Sequence, residues 1–263
     1  MKKIAVIAAA GWKGGGSGAE VEFADCPEPL LPLGNEETIV SRLAKQLESF
    51  GFEITIGAGE PGCTFKSFEK FCPGCVIGEK LAGELAEKGL SLGDSPWTEE
   101  RIDYLRELGN VVLMPNPGIG NCHDTYCRII DTALGSWDQL LLLHGDMLFT
   151  DKFLTDIFAL PWPCQFSMHP VHTMFLLTPG ALPIYRQFAQ GHRTGWDTFK
   201  EKQIMAMSWP GGQLGAHKLA TELGLPAYSM EDIGRPNIEI EWLDVDELGK
   251  YVEALRRIKT GEM

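Results

Sequence analysis

Residues 4–43 read IAVIAAAGWKGGGSGAEVEFADCPEPLLPLGNEETIVSRL, and this stretch decides the fold. Ile4 to Ile7 is a short apolar run, the pattern of a strand buried on both faces. It passes straight into Ala8, Ala9, Ala10 and Gly11, then into Gly14, Gly15, Gly16 and Gly18. Small residues there let a ligand approach the backbone closely. Glycines let several N–H groups turn into one anion-binding concavity. Lys13 is the only cation of that loop. From Glu37 to Phe50 the sequence predicts a helix, with Ile39, Leu43, Leu47 and Phe50 at helical spacing and Arg42, Lys45 and Glu48 between them. Gly51 ends it, and Phe52 to Gly57 alternates as a second strand. Strand, helix, strand is the unit of a parallel α/β sheet.

The 263 residues are 44% hydrophobic, enough for one large domain or a domain with an insertion. A formal net charge of −13 argues against a general nucleic-acid binder and against an anionic membrane surface. It leaves room for a nucleotide, because a loop and a metal can supply local positive potential. No stretch approaches the roughly 18 apolar residues of a spanning helix. No signal-peptide pattern follows Met1-Lys2-Lys3. Seven cysteines, an odd number in a long chain, do not suggest a disulfide framework. The expected compartment is the cytoplasm.

Beyond the first unit, Pro61 to Val76 is irregular and carries Cys63 and the pair Cys72 and Cys75. That pair lacks a second ligand pair, so free thiols are expected there. Glu79 to Lys88 reads as helical, and Trp97 to Leu108 as a helix started by Ser95-Pro96 and Thr98-Glu99-Glu100. Val111 to Met114 is a third strand. It ends in Pro115-Asn116-Pro117-Gly118-Ile119-Gly120-Asn121, before a helix carrying Tyr126, Ile129, Ile130 and Leu134. Gln139 to Leu143 is a central strand ending in His144-Gly145-Asp146. Ligands of open parallel sheets bind at the carboxyl ends of strands, where Asp146 would stand. Cys164 to His169 and Thr173 to Thr178 are further strands. His169 and His172 form an H-x-x-H pair that Pro170 keeps off a helix. Pro179-Gly180 leads into a helix with Tyr185, Arg186 and Phe188. Residues 191–215 are comparatively rich in cations, Arg193 among them. In a late strand within residues 237–248, Asp244 and Asp246 are two apart and would face one side. A cation would offset the cost of burying both. A last helix is expected from Glu247 to Lys259.

Three of these stretches, in this order and spacing, resemble the nucleotidyltransferases with a GT-A type fold, including the sugar-phosphate nucleotidyltransferases. The family opens with a strand and a loop of the form A-A-G-x-G-x-R, then a K-P-L-L-P-L-like segment. Ala9-Ala10-Gly11-Trp12-Lys13-Gly14 and Glu28-Pro29-Leu30-Leu31-Pro32-Leu33 take those places. Gly145-Asp146 matches the family's metal-binding Gly-Asp, and residues 242–246 match its late acidic strand. Two positions depart from the pattern. The loop arginine is absent, with Lys13 as its stand-in, and Glu28 replaces the lysine. A carboxylate about 4 Å from a phosphate charge would cost roughly 4 kcal/mol at an effective dielectric of about 20. Glu28 is therefore expected to point away, sit near a metal, or mark a changed activity.

The resemblance implies a three-layer α/β/α sandwich with a mostly parallel mixed sheet. It implies one domain over residues 1–263, with 61–110 an irregular insertion and 160–236 the acceptor-binding part. The implied activity is Mg²⁺-dependent transfer of an NMP from a nucleoside triphosphate to a small phosphorylated acceptor, with release of pyrophosphate. Ala8, Ala9, Ala10, Gly11, Trp12, Lys13 and Gly14 would hold the nucleotide, with Gly118, Gly120 and Asn121 at the base or ribose. Lys13 and Asp146 would be catalytic, and Asp146, Asp244 and Asp246 would hold Mg²⁺. His169, His172 and Arg193 would meet the acceptor. One alternative is a GT-A glycosyltransferase, although Asp244-Val245-Asp246 lies late in the chain for its D-x-D motif. Another is a nucleotide-binding protein that kept the fold without turnover.

Overall fold

The computed structural model describes residues 1–10, 26–61, 97–114, 122–169, 172–190, 221–234, 241–245 and 248–263. The strands are β1 (Lys3–Ala8), β2 (Pro32–Gly34), β3 (Glu37–Thr38), β4 (Phe52–Gly59), β5 (Asn110–Met114), β6 (Gln139–His144), β7 (Met147–Phe149), β8 (Cys164–His169), β9 (His172–Leu177), β10 (Ala227–Ser229) and β11 (Trp242–Asp244). The helices are α1 (Ile39–Ser49), α2 (Glu99–Leu108), α3 (Cys122–Thr132), α4 (Asp151–Phe158), α5 (182–190) and α6 (Leu248–Thr260). Among the described residues, no helix is long and apolar enough to cross a membrane.

Among the described residues, seven strands form one sheet in the order β10-β8-β9-β6-β1-β4-β5. β1 lies parallel to both β4 and β6, and β5 parallel to β4. β9 runs antiparallel to its two neighbours, β6 and β8, and β10 is parallel to β8. The sheet is thus mixed and mostly parallel, as expected. β1 is central because its four residues Ile4 to Ile7 are buried on both faces. Ala5 and Ile7 meet α1, α2 and α4 through Leu43, Leu47, Ile102, Leu105, Phe153 and Ile157. Ile4 and Val6 face the opposite layer, built from Tyr126, Ile129 and Ile130 of α3 and Tyr185 and Phe188 of α5. Helices on both faces of a sheet make the three-layer sandwich. Each large apolar side chain so buried contributes about 1.5–3 kcal/mol.

Several boundaries differ from the sequence expectation. α1 begins at Ile39, two residues after the expected Glu37. Thr38 adopts an extended conformation and caps it, accepting from Ser41 N–H while the Ser41 hydroxyl accepts from Thr38 N–H. Glu37 and Thr38 instead pair with β2 in a small hairpin. β4 does not alternate in burial: of its eight residues Glu53 alone is exposed, because helices cover both sides. In the stretch 61–110 the described part is regular, with Trp97 fully buried and α2 packed on the core. Residues 62–96, with Cys63, Cys72 and Cys75, lie outside the described residues.

The late strand is the largest difference. It does not join the main sheet. β11 instead pairs antiparallel with β7, in a separate two-stranded ribbon. The chain leaves the main sheet at Gly145-Asp146, so β7 carries the ribbon out of it. α6 closes the ribbon, ending at Thr260, one residue later than expected, while the expected first residue, Glu247, lies outside the described residues. Ala254, Leu255 and Ile258 pack with Leu31, Leu33, Leu148 and Val245, and the Tyr251 hydroxyl donates to the Pro32 carbonyl.

Candidate functional site

β1 and β6 end side by side, with Ala8 the register partner of His144. The chain ends are laced together just past the strands. Gly145 N–H donates to the Ala8 carbonyl at 3.0 Å, and Ala9 N–H donates to the Gly57 carbonyl at 2.9 Å. Ala8 is half-buried, and Ala9 and Ala10 are buried. Their side chains fill no more space than a methyl group each, so the edge stays low where larger residues would stand over it. Gly145 is there for the same reason. A Cβ on it would lie 3.1 Å from the Ala8 oxygen, 3.1 Å from Ala9 Cβ and 3.1 Å from Ile7 Cγ2.

Asp146 follows directly. Its carbonyl accepts from Val245 N–H at 3.0 Å, which continues the β7–β11 ladder one step beyond the Asp244–Met147 pair. Asp146 and Asp244, far apart in sequence, are therefore on adjoining segments at the carboxyl edge of the sheet. Asp244 is 5% exposed, and the Oδ1 atoms of Asp146 and Asp244 are both withdrawn from water. The ribbon is fixed at its far end too. Thr150 donates from its hydroxyl to Glu241 Oε2 at 2.6 Å and from its N–H to the Glu241 carbonyl at 2.9 Å. Behind it lies the apolar cluster of Leu148, Val245, Leu31 and Ile39.

The structure thus brings Ala8, Ala9, Ala10, Asp146 and Asp244 to one edge. Gly11, Trp12, Lys13, Gly14, Gly118, Gly120, Asn121, Arg193 and Asp246 lie outside the described residues. His169 and His172 are cross-strand register partners of β8 and β9, and the two residues between them lie outside the described residues. Glu28 sits in a 3₁₀ turn, Glu28–Leu30, and is only 7% exposed. Among the described residues, no group of three His, Cys, Asp or Glu side chains forms a metal cluster. Two histidines were passed over in the sequence. His144 is half-buried at the end of β6, where its register with Ala8 puts it at the same edge. His123 is buried, with Nδ1 2.9 Å from the Tyr185 hydroxyl. A histidine opening a helix after a Gly/Pro-rich turn was the available signal.

No family model and no curated protein matches this chain. Solved structures do. A UDP-glucose pyrophosphorylase in complex with UDP-glucose aligns with 99% of this chain and 100% of its own, at 11% identity and a TM-score of 0.51. An inositol-1-phosphate CTP transferase from T. maritima aligns with 99% of this chain and 97% of its own, at 14% identity and a TM-score of 0.50. At such identity the likeness is one of fold. The chain has the Rossmann-like fold found in these two nucleotide-handling enzymes.

Proposed function

We propose that the protein is a nucleotidyltransferase that moves a nucleoside monophosphate from a nucleoside triphosphate onto a sugar phosphate or similar acceptor. The observation that carries this is the edge where Asp146 and Asp244 adjoin the small-residue end of β1. Its fold is that of enzymes named for such transfers, and its motifs follow the same order.

In the reaction an acceptor phosphate oxygen bonds to the α-phosphorus in line, the bond from the α-phosphorus to the bridging oxygen breaks, and pyrophosphate leaves with that electron pair. The protein's work is positioning and charge stabilisation. Backbone N–H groups from Ala8 to Gly14 would hold the nucleotide, which the small side chains of Ala8, Ala9 and Ala10 leave room for. Lys13 would offset phosphate charge, and Gly118, Gly120 and Asn121 would meet the base or ribose. His169, His172 and Arg193 would hold the acceptor.

Mg²⁺ fits the donor set: Asp146 and Asp244 offer carboxylate oxygens shielded from water, the ligand type this hard cation takes. Asp246, two residues beyond Asp244, would complete the set. Bound there, Mg²⁺ would supply Lewis-acid neutralisation of the phosphate oxygens.

The test is a thermal-shift panel of ATP, CTP, GTP and UTP, each with Mg²⁺, followed by pyrophosphate release with a panel of sugar phosphates. A bound triphosphate raises apparent stability by RT ln(1 + [L]/Kd), about 2.7 kcal/mol at 100 Kd. The expected result is a shift with at least one triphosphate and turnover with at least one acceptor. No shift with any of the four would overturn the proposal. A second reading, binding without turnover, is favoured by Glu28, a buried acid where the resembled family has lysine. A shift with no pyrophosphate from any acceptor would select it.

A further inference from the structure

The two strands of the ribbon that carries Asp244 come from distant parts of the chain. Thr150 and Glu241, partners at its far end, are 91 residues apart. No tight turn joins the strands, so none sets their register as it would in a hairpin. The ladder is three pairs long: Trp242 with Phe149, Leu243 with Leu148 and Asp244 with Met147. Side chains alternate with a period of two, so a slip by two residues keeps each one on its own face. Such a slip would carry Asp244 about 7 Å along β7. In sequence a second acid, Asp246, stands two residues beyond Asp244, so the spacing of the acids does not select the register either.

β7 takes its place from the body of the protein. Thr150 caps α4, its hydroxyl accepting from Phe153 N–H at 3.2 Å, and Phe153, Leu154 and Ile157 of that helix are fully buried. Gln46 of α1 donates from Nε2 to the Phe149 carbonyl and to Asp151 Oδ1, both at 2.9 Å. β11 takes its place from β7. The same Thr150 hydroxyl that caps α4 donates to Glu241 Oε2 at 2.6 Å, the length of a hydroxyl given to a carboxylate. A backbone carbonyl would accept from Thr150 N–H in any register, but the side-chain bond needs an acid opposite Thr150. A slip that brought Asp246 to Met147 would put Leu243 there, with no side-chain oxygen to accept. The opposite slip would bring Glu239 to Thr150 but carry Glu241 onto Leu148. There it would enter the apolar cluster of Leu31, Ile39 and Val245, where a carboxylate is costly.

We propose that Thr150 and Glu241 are positioning residues that set the register of β11 on β7, and so hold Asp244 beside Asp146 at the edge where Mg²⁺ fits. Glu241 lies three residues, about 10 Å of strand, from Asp244, so neither residue of the pair is itself a ligand of the ion. This inference rests on the reading of that edge given above.

The probe is Mn²⁺, titrated into the free protein and followed by its paramagnetic resonance signal. Thr150→Asp keeps a capping oxygen for α4 but can no longer donate to Glu241. It is expected to weaken Mn²⁺ binding roughly 10- to 100-fold, the usual loss when a group that orients a metal ligand is removed. Thr150→Asp/Glu241→Gln exchanges donor and acceptor, and should bring the affinity back near that of the wild type. Glu241→Leu leaves the cap untouched and should match Thr150→Asp. Unchanged affinity in Thr150→Asp and Glu241→Leu, or a double variant no better than Thr150→Asp, would overturn the proposal. Amide exchange gives a readout that needs no metal. Val245 N–H, which donates to the Asp146 carbonyl at 3.0 Å, should lose protection in Glu241→Leu while the amides of β1 and β6 keep theirs. Full protection at Val245 would also overturn it. If the wild type binds no Mn²⁺, the metal part of the transferase reading falls, and the register pin is judged by Val245 exchange alone.

Discussion

Gly145 shows how little freedom a single position at this edge has. Three atoms stand 3.1 Å from where its Cβ would be. One of them, the Ala8 oxygen, is already held by the Gly145 N–H and cannot move aside without losing that bond. Gly145→Ala should therefore cost about 1–3 kcal/mol, the usual range for overpacking, read as a lower urea midpoint. An unchanged midpoint would mean the ends of β1 and β6 yield freely. Asp146 next to it is tested by charge. Asp146→Asn should abolish pyrophosphate release and leave the melting temperature without Mg²⁺ unchanged or higher, because a carboxylate oxygen shielded from water no longer carries charge. Asp244→Asn should act alike, and the double variant should be scarcely worse, since residues that serve one ion are not additive. Retained turnover in Asp146→Asn would remove its assigned role. At this scale the placement of Ala8 to Ala10, Asp146 and Asp244 was legible from motif order. The His123–Tyr185 bond was not, because nothing local to either residue specifies its partner.

Elements with a strong period or a clear cap were legible too. Thr98 caps α2 as its sequence announced, accepting from Arg101 N–H. The apolar runs became β1, β4, β5, β6, β8 and β9. The two- and three-residue strands β2, β3, β7 and β10 were not read, since their pairing is tertiary and so short a run has no period to detect. The last helix carries its own testable feature. Arg256 hydrogen bonds hold the Glu253 and Glu262 carboxyls at about 2, with Arg257 assisting at Glu253 and Thr260 at Glu262. Both folded values lie below the ordinary 4.5. Their contribution is therefore present at neutral pH and is lost as pH falls from about 4.5 through about 2. Both groups lie at the surface, so the effect is local and screened by salt. The C-terminal end of α6 should fray across that window while β1 and β6 stay protected, as followed by amide exchange. High salt should blunt the change. Equal protection of residues 253–262 at pH 2 and pH 6 would refute it.

At the scale of the molecule, the layer architecture followed from burial patterns alone, because a strand such as β1 must be covered on both sides. The strand order did not follow. β9 lies between β6 and β8, antiparallel to both, and no periodicity announces that choice. The order has a consequence for how the protein is made. β1 lies near the start of the sequence yet occupies the middle of the sheet. One flank closes when residues 52–57 appear, and the other waits for residues 139–144. Throughout that interval of translation the growing chain displays an apolar strand with a bare hydrogen-bonding edge, the feature that invites association between chains. The carboxylate edge matures later still, since Asp146 gains its backbone partner only when Val245 has emerged. A segment translated early is thus completed by one translated much later, and a ribosome-bound chain halted between them would carry the end of β1 without the ribbon strand that holds the Asp146 backbone.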